Sequence, residues 1–413
     1  MYRGGVSLKS HYAISVLALA ASLAVADIVP VVPKSGPPPI GPYTPGVFAG
    51  DYLYISGQGA KAADGSMPAT FEGQVRQTLE NLKAVAEAAG LTLDHIVYTQ
   101  VYLEDMKNFA EMNRVYRTYF SKVPPARATL GVAKLPGTPV EINAVAVRNL
   151  LDKKALSVPG YDPGEPASPG ILTRDRLYVS GMRGFDFAKR AVPSEPAQQV
   201  ALALDGVESV LKAAGLTMGH MVFVNPYLTK ALPSGVMNRE YAKRFEFGNT
   251  PARATIEVTS LPEQSQIEFT GVAVRDLSAR RALRPKNMPP SATASPCVFA
   301  GDTLYCSAKG PFIPGPNQGI VVATIEQQVR QTMRNLLDGL EEADMDFSKV
   351  VATNVYLDDI SEFQAMNKIY ALFFRGVAPA RTTIQQIAPV DRNRHRAEGM
   401  YPGIEQISLI AVK

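Results

Sequence analysis

Tryptophan is absent from the 413 residues, and histidine occurs only four times, at His11, His95, His220 and His395. No two of these stand at a metal-ligand spacing, so the sequence offers no histidine-based metal site and points to cofactor-free chemistry, or to none. An excess of one charge is equally missing: 42 Lys and Arg against 38 Asp and Glu leave a net +4, without a long basic run. A dedicated nucleic-acid binder concentrates positive charge on one face, which disfavours that class of partner. Beyond the amino end no apolar run reaches the ~18 residues of a membrane span. What is present is ordinary for soluble globular protein, with 46% hydrophobic and 19% charged residues. The length predicts two to four domains, each able to bury a core.

The amino end differs from the rest. Arg3, Lys9 and His11 precede an apolar run from Tyr12 to Val25 that closes in Ala24-Val25-Ala26. That order predicts a secretory signal over 1–26, cleaved after Ala26, and a periplasmic or secreted protein with no membrane segment after cleavage. An uncleaved anchor is the alternative. A Pro-rich leader over 27–39 follows, which cannot be helical.

The remainder repeats. Tyr54-Ile55-Ser56-Gly57 returns as Tyr178-Val179-Ser180-Gly181 and as Tyr305-Cys306-Ser307-Ala308. Pro125-Ala126-Arg127 returns as Pro251-Ala252-Arg253 and Pro379-Ala380-Arg381, and Met112-Asn113 as Met237-Asn238 and Met366-Asn367. Three markers in one order at a step of about 125 residues define three domain-sized copies, 40–150, 151–276 and 277–413. Leu151 to Pro169 and Leu277 to Ser295 read as short linkers.

Within the first copy, Gly50-Asp51 between apolar runs predicts a hairpin. Val75, Leu79, Leu82, Ala86 and Ala89 form the apolar face of a helix ended by Gly90. A strand (96–103), a second helix (108–120) and two strands (128–132 and 140–147) follow. The order β-β-α-β-α-β-β predicts an α+β domain: one mixed sheet with two helices on one face. The other face needs cover, which three sheets packed together would supply.

On Ile40-Gly41-Pro42-Tyr43, Ile55-Ser56-Gly57-Gln58, Met112-Asn113, Pro125-Ala126-Arg127 and Val140-Glu141-Ile142, the first copy resembles a RidA/YjgF/L-PSP domain. The resemblance runs from about residue 40 to residue 148 and is weaker in the other copies. It implies a chorismate-mutase-like fold and homotrimers with a pocket at each subunit interface. It also implies hydrolysis of 2-imino or enamine acids to 2-keto acids and ammonia without a cofactor. One chain here would then be an intramolecular pseudo-trimer and a monomer, with a small 2-imino or 2-keto acid as partner.

The pocket chemistry follows from residue type. Arginine grips a carboxylate through two parallel hydrogen bonds, and a nearby carboxylate can position water and take its proton. Arg127 and Glu141 are the expected catalytic pair, with Tyr43, Ser56, Gly57, Asn113 and Thr129 lining the pocket. The family commonly has cysteine where Thr129 stands, so thiol chemistry is not expected. Ser180, Asn238, Arg253, Glu268, Ser307, Asn367 and Arg381 are the corresponding substrate-binding candidates. Arg127 and Glu141 could instead form a cross-strand ion pair, and the small polar residues could bond backbone. Which copy's arginine faces Tyr43 is left open.

The copies are unequal. Ala167 and Ala294 stand at the offset of Tyr43, and counting back from the last strand gives Glu141, Glu268 and then Gln406. Glu405 is adjacent, but one residue of slip turns a side chain to the other sheet face. Pro226 falls mid-strand in the second copy and should bulge or demote it. The third copy carries an added stretch over 394–402. With Gly301-Asp302 as a two-residue turn, Cys297 and Cys306 oppose each other, as a disulfide or as two buried thiols. The functional expectation is an imine deaminase, with a non-catalytic carboxylate binder as the alternative. An L-PSP-type endoribonuclease is disfavoured by modest charge and by motifs without histidine.

Overall fold

The computed structural model describes residues 1–2, 27–159, 161, 164–286, 288–314, 319–320, 322–389 and 397–413. The expected signal segment lies outside them apart from its first two residues. Among the described residues no helix is long and apolar enough to cross a membrane.

Each copy folds as a mixed sheet with two helices on one face. In the first, the strands run in spatial order Ile28–Val31, Gly46–Ala49, Tyr52–Gln58, Val140–Val147, Ile96–Leu103, Ala126–Gly131. All neighbours are antiparallel except the last pair, which is parallel. The helices Phe71–Ala88 and Phe109–Tyr119 supply the covering layer. Thr70 caps the first by accepting from the Gly73 amide, and Gly90 leaves its end at φ +75°.

The outermost strand corrects the expected order. Ile28–Val31 falls in the supposed leader, and its counterparts Lys154–Ala155 and Arg280–Leu283 fall in the supposed linkers. Each pairs with the free edge of the hairpin strand that follows it. An edge tolerates Pro30 because no further strand needs its N–H.

Alternation sorts the side chains into two layers. Val140, Ile142, Ala144 and Ala146 pack beneath the helices of their own copy, where Val75, Leu79, Leu82 and Met112 meet them. The opposite faces of all three sheets share one central core, including Val47, Tyr54, Ile171, Tyr178, Val298 and Tyr305. At its edge the three equivalent positions Tyr52, Arg176 and Thr303 meet, with the Arg176 guanidinium 4.0 Å from the Tyr52 ring centre.

Pro226 does not demote its strand, which spans Met221–Leu228 unbroken. The disturbance appears in the parallel neighbour, split into Ala252–Arg253 and Ile256–Glu257. Proline has no N–H to donate there, and the Asn225 side-chain amide donates to the Ala254 carbonyl instead, at 3.3 Å.

Candidate functional site

The three seams between copies are built alike. Ser56 Oγ donates to the Thr44 carbonyl (2.6 Å) and accepts from the Arg381 backbone N–H (2.9 Å), joining the first copy to the third. Ser180 does the same with Ser168 and Arg127, joining the second to the first, and Ser307 with Ser295 and Arg253, joining the third to the second. Beside each serine runs a backbone bond to the proline before the arginine. These hydroxyls have spent their only proton on the chain, so they pin the seams and cannot donate to a substrate.

Each arginine lies against the second helix of its own copy. Arg127 donates to Asn113 at 2.7 Å and Arg253 to Asn238 at 2.8 Å. One turn beyond each asparagine a tyrosine ring faces the guanidinium: Tyr116 at 4.8 Å, Tyr241 at 5.1 Å and Tyr370 at 5.0 Å. The signal was present in the sequence as Met-Asn-x-x-Tyr in all three copies, with Asn and Tyr at an i, i+3 spacing on one helix face. Tyr116 and Tyr370 hydroxyls pair with Thr99 and Thr353, but Val224 occupies that position in the second copy and leaves the Tyr241 hydroxyl buried without a partner. Val224→Thr is therefore expected to raise stability by about 1 kcal/mol, read as a higher urea midpoint at unchanged m-value.

The expected pairing of Arg127 with Glu141 is not what the structure holds. Both belong to the first copy, but they face different seams, because the edge strand Ala126–Gly131 meets the second copy while Glu141 turns toward the third. Glu141 and Tyr43 face Arg381, whose guanidinium lies 5.4 Å from the Tyr43 ring centre and 5.5 Å from that of Phe363. Burial pushes the Glu141 carboxyl up to about 8, and Arg381 opposes that rise. Burial also lowers the Arg381 pKa from its usual value. Arg381 Nη1 and both amide atoms of Asn367 are buried without a partner, as is the Thr383 hydroxyl.

Gly57 is required by the carboxylate. A Cβ there would lie 1.9 Å from Glu141 Oε1, and one on Gly181 would lie 2.0 Å from Glu268 Oε1. In the third copy Ala308 and Gln406 have replaced glycine and glutamate together. Gln406 faces the seam and donates to the Thr255 carbonyl at 2.9 Å. Glu405 turns to the helix side, accepts from Thr332, and is pushed by burial to about 8.

The seam between the first and second copies holds a different set. Arg127 Nη2 meets Glu165 Oε2 at 2.8 Å, and Arg183 Nη1 meets Glu165 Oε1 at 2.6 Å and Glu263 Oε2 at 2.5 Å. Burial raises Glu268 to about 8 in the same seam. Thr129 Oγ1 lies buried there without a partner. Sequence reasoning missed Glu165, which sits in the supposed linker, and Arg183, three residues after Ser180, where the other copies have Gly59 and Gly310. The third seam is an open cleft of about 490 Å³ lined by Arg253, Thr255, Ser307, Lys309 and Gln406. Away from the seams, Cys297 and Cys306 are opposite each other in the hairpin and joined by a disulfide. Gly339 of the helix above leaves room for it, since a Cβ there would lie 2.8 Å from Cys297 Sγ.

A sequence model of the family described as Endoribonuclease L-PSP matches residues 33–148, 162–275 and 285–392. A RutC family protein of Saccharolobus solfataricus is 44% identical over 119 residues, 28% of this chain and 94% of that protein. The 2-iminobutanoate/2-iminopropanoate deaminase of Escherichia coli K12 is 40% identical over 123 residues, 29% of this chain and 96% of that protein. The solved structure of the YjgF gene product of E. coli is 39% identical, with a TM-score of 0.29, covering 29% of this chain and 99% of that one.

Proposed function

This chain belongs to the endoribonuclease L-PSP family, and from that premise we propose that it hydrolyses small 2-imino acids to 2-keto acids and ammonia at the seam joining Glu141 to Arg381. The observation that carries this reading is the buried, unpaired set of Arg381 Nη1, the Asn367 amide and the Thr383 hydroxyl opposite Glu141. Buried donors without partners are costly unless a ligand completes them. The kinship to a named imine deaminase supplies the substrate class. In the wider reading the chain is a single-chain pseudo-trimer, and its amino-terminal pattern supports export.

In this mechanism Arg381 takes the substrate carboxylate in its fork and Asn367 orients the imine. Glu141 accepts a proton from water as the water oxygen bonds to the C=N carbon, and passes that proton to the imine nitrogen, which becomes an amine. The resulting 2-amino-2-hydroxy acid collapses: Glu141 takes the hydroxyl proton as the oxygen forms C=O and hands it to the amine nitrogen, so the C–N bond breaks, ammonia leaves and the carboxylate is restored. The third seam keeps Arg253 and Asn238 but has Gln406 in place of the carboxyl, so it would bind a carboxylate without hydrolysis.

The test is the pH dependence of kcat/KM for 2-iminopropionate generated by an amino-acid oxidase. With a free-enzyme pKa of about 8, the working carboxylate form grows as pH rises, so the rate should climb through pH 7 and level above 8. Glu141→Gln should lose that limb and about 100-fold or more in rate. An unchanged limb in Glu141→Gln would remove Glu141 from the mechanism.

A further inference from the structure

The seam between the first and second copies has its arginine already occupied, and by the chain itself. Glu165 accepts from both Arg127 and Arg183, with 0% and 3% of those side chains exposed and 10% of its own. Burial alone would raise its pKa, but Arg183 and Arg127 overcome that and hold it below the usual carboxylate range, so it stays ionised. Glu165 thus occupies the position that a substrate carboxylate takes in the arginine clamp argued above.

Glu165 is shared between the two guanidinium groups, and Glu263 adds a contact to Arg183 Nη1 alone, which does not satisfy both forks. Arg127 Nε and Nη1 and Arg183 Nε remain buried without partners, and so does Glu268 Oε1. A ligand with one carboxylate would only exchange places with Glu165, which competes from within the chain at high effective concentration. A ligand with two carboxylates can give each arginine its own, as two charge-assisted forks. Arg183 distinguishes this seam, because neither other copy has a cation at that position.

We propose that the seam between the first and second copies is a binding site for 2-oxo or 2-imino dicarboxylic acids, in which Glu165 holds Arg127 and Arg183 as an internal stand-in until such a ligand displaces it. The clamp chemistry rests on the reading given for Arg381, but the site, its residues and its ligand class are separate.

The experiment is calorimetric titration of the full chain with 2-oxoglutarate and with pyruvate. Glu165→Ala should gain one 2-oxoglutarate site per chain, at least tenfold tighter for 2-oxoglutarate than for pyruvate. Adding Arg127→Ala or Arg183→Ala should abolish the gained site. The same titration in an Arg381→Ala background isolates this seam: Glu165→Ala should still add its site there, whether or not the Arg381 seam binds anything. No added site in a cooperatively melting variant, or equal affinity for pyruvate, would overturn the proposal. Should Glu165→Ala fail to fold, Glu165→Gln keeps the volume and removes the charge. Its melting temperature should then rise with 2-oxoglutarate by more than that of wild type, and an equal or absent rise overturns the proposal.

Discussion

Arg381→Ala is expected to lower kcat/KM for 2-iminopropionate by at least about 100-fold, while Arg127→Ala changes it by well under tenfold. The contrast is demanding, because Arg127 shares a copy with Glu141 and Arg381 lies 240 residues further along the chain. The reason lies in what each guanidinium touches. Arg381 faces Glu141 and Tyr43, whereas Arg127 is engaged by Glu165. Arg381 also opposes the upward push of burial on Glu141, so its loss should move the rising pH limb above 8 in whatever activity remains. Folding should survive the change, since the backbone N–H of residue 381 still bonds Ser56. Steady-state kinetics of both variants decides the matter. A large loss in Arg127→Ala with little in Arg381→Ala would reverse the assignment of the clamp.

The largest expected loss of stability comes from Arg176→Ala, roughly 3 kcal/mol or more by urea denaturation. Arg176 is 1% exposed at the meeting point of the three copies. It pairs with Asp175 at 2.8 Å, donates to the Tyr305 hydroxyl at 2.9 Å and to Thr303 at 3.1 Å, and lies over the Tyr52 ring. Tyr52 in turn bonds Asp175 and Thr173. Alanine would leave a cavity and a group of buried oxygens that lose their donor. Arg176→Met fills the cavity without the hydrogen bonds, so it should recover part of the loss and separate packing from pairing. A midpoint within about 1 kcal/mol of wild type for Arg176→Ala would show that the three copies do not depend on this contact.

Much of the fold was legible because it rests on short-range pattern. The repeat of Pro-Ala-Arg and Met-Asn, the apolar face from Val75 to Ala89 and the alternation through 140–147 each encode a period that packing then uses. The Gln406 register is of the same kind. The outer strands were missed because four residues such as Ile28–Val31 carry no period, and their strand character comes from the edge they meet. The site was harder. Residue types were recoverable, but the pairing of Glu141 with Arg381 is a property of how three copies meet, and no spacing within one copy encodes it. Glu165 was hidden for a related reason: in sequence it is a charged residue between Gly164 and Pro166, and only the fold brings it against two arginines.

The order of the seams has a consequence for synthesis. Ser56, Tyr43 and Glu141 are made early, yet their cationic partner is Arg381, near the carboxyl end. The first copy therefore leaves the ribosome with half of its proposed centre, and the first seam to close is the one blocked by Glu165. Truncated chains that stop before residue 381, even well-folded ones, would carry the glutamate without its clamp. In such a design the third copy completes the first, and activity reports that synthesis has passed residue 381.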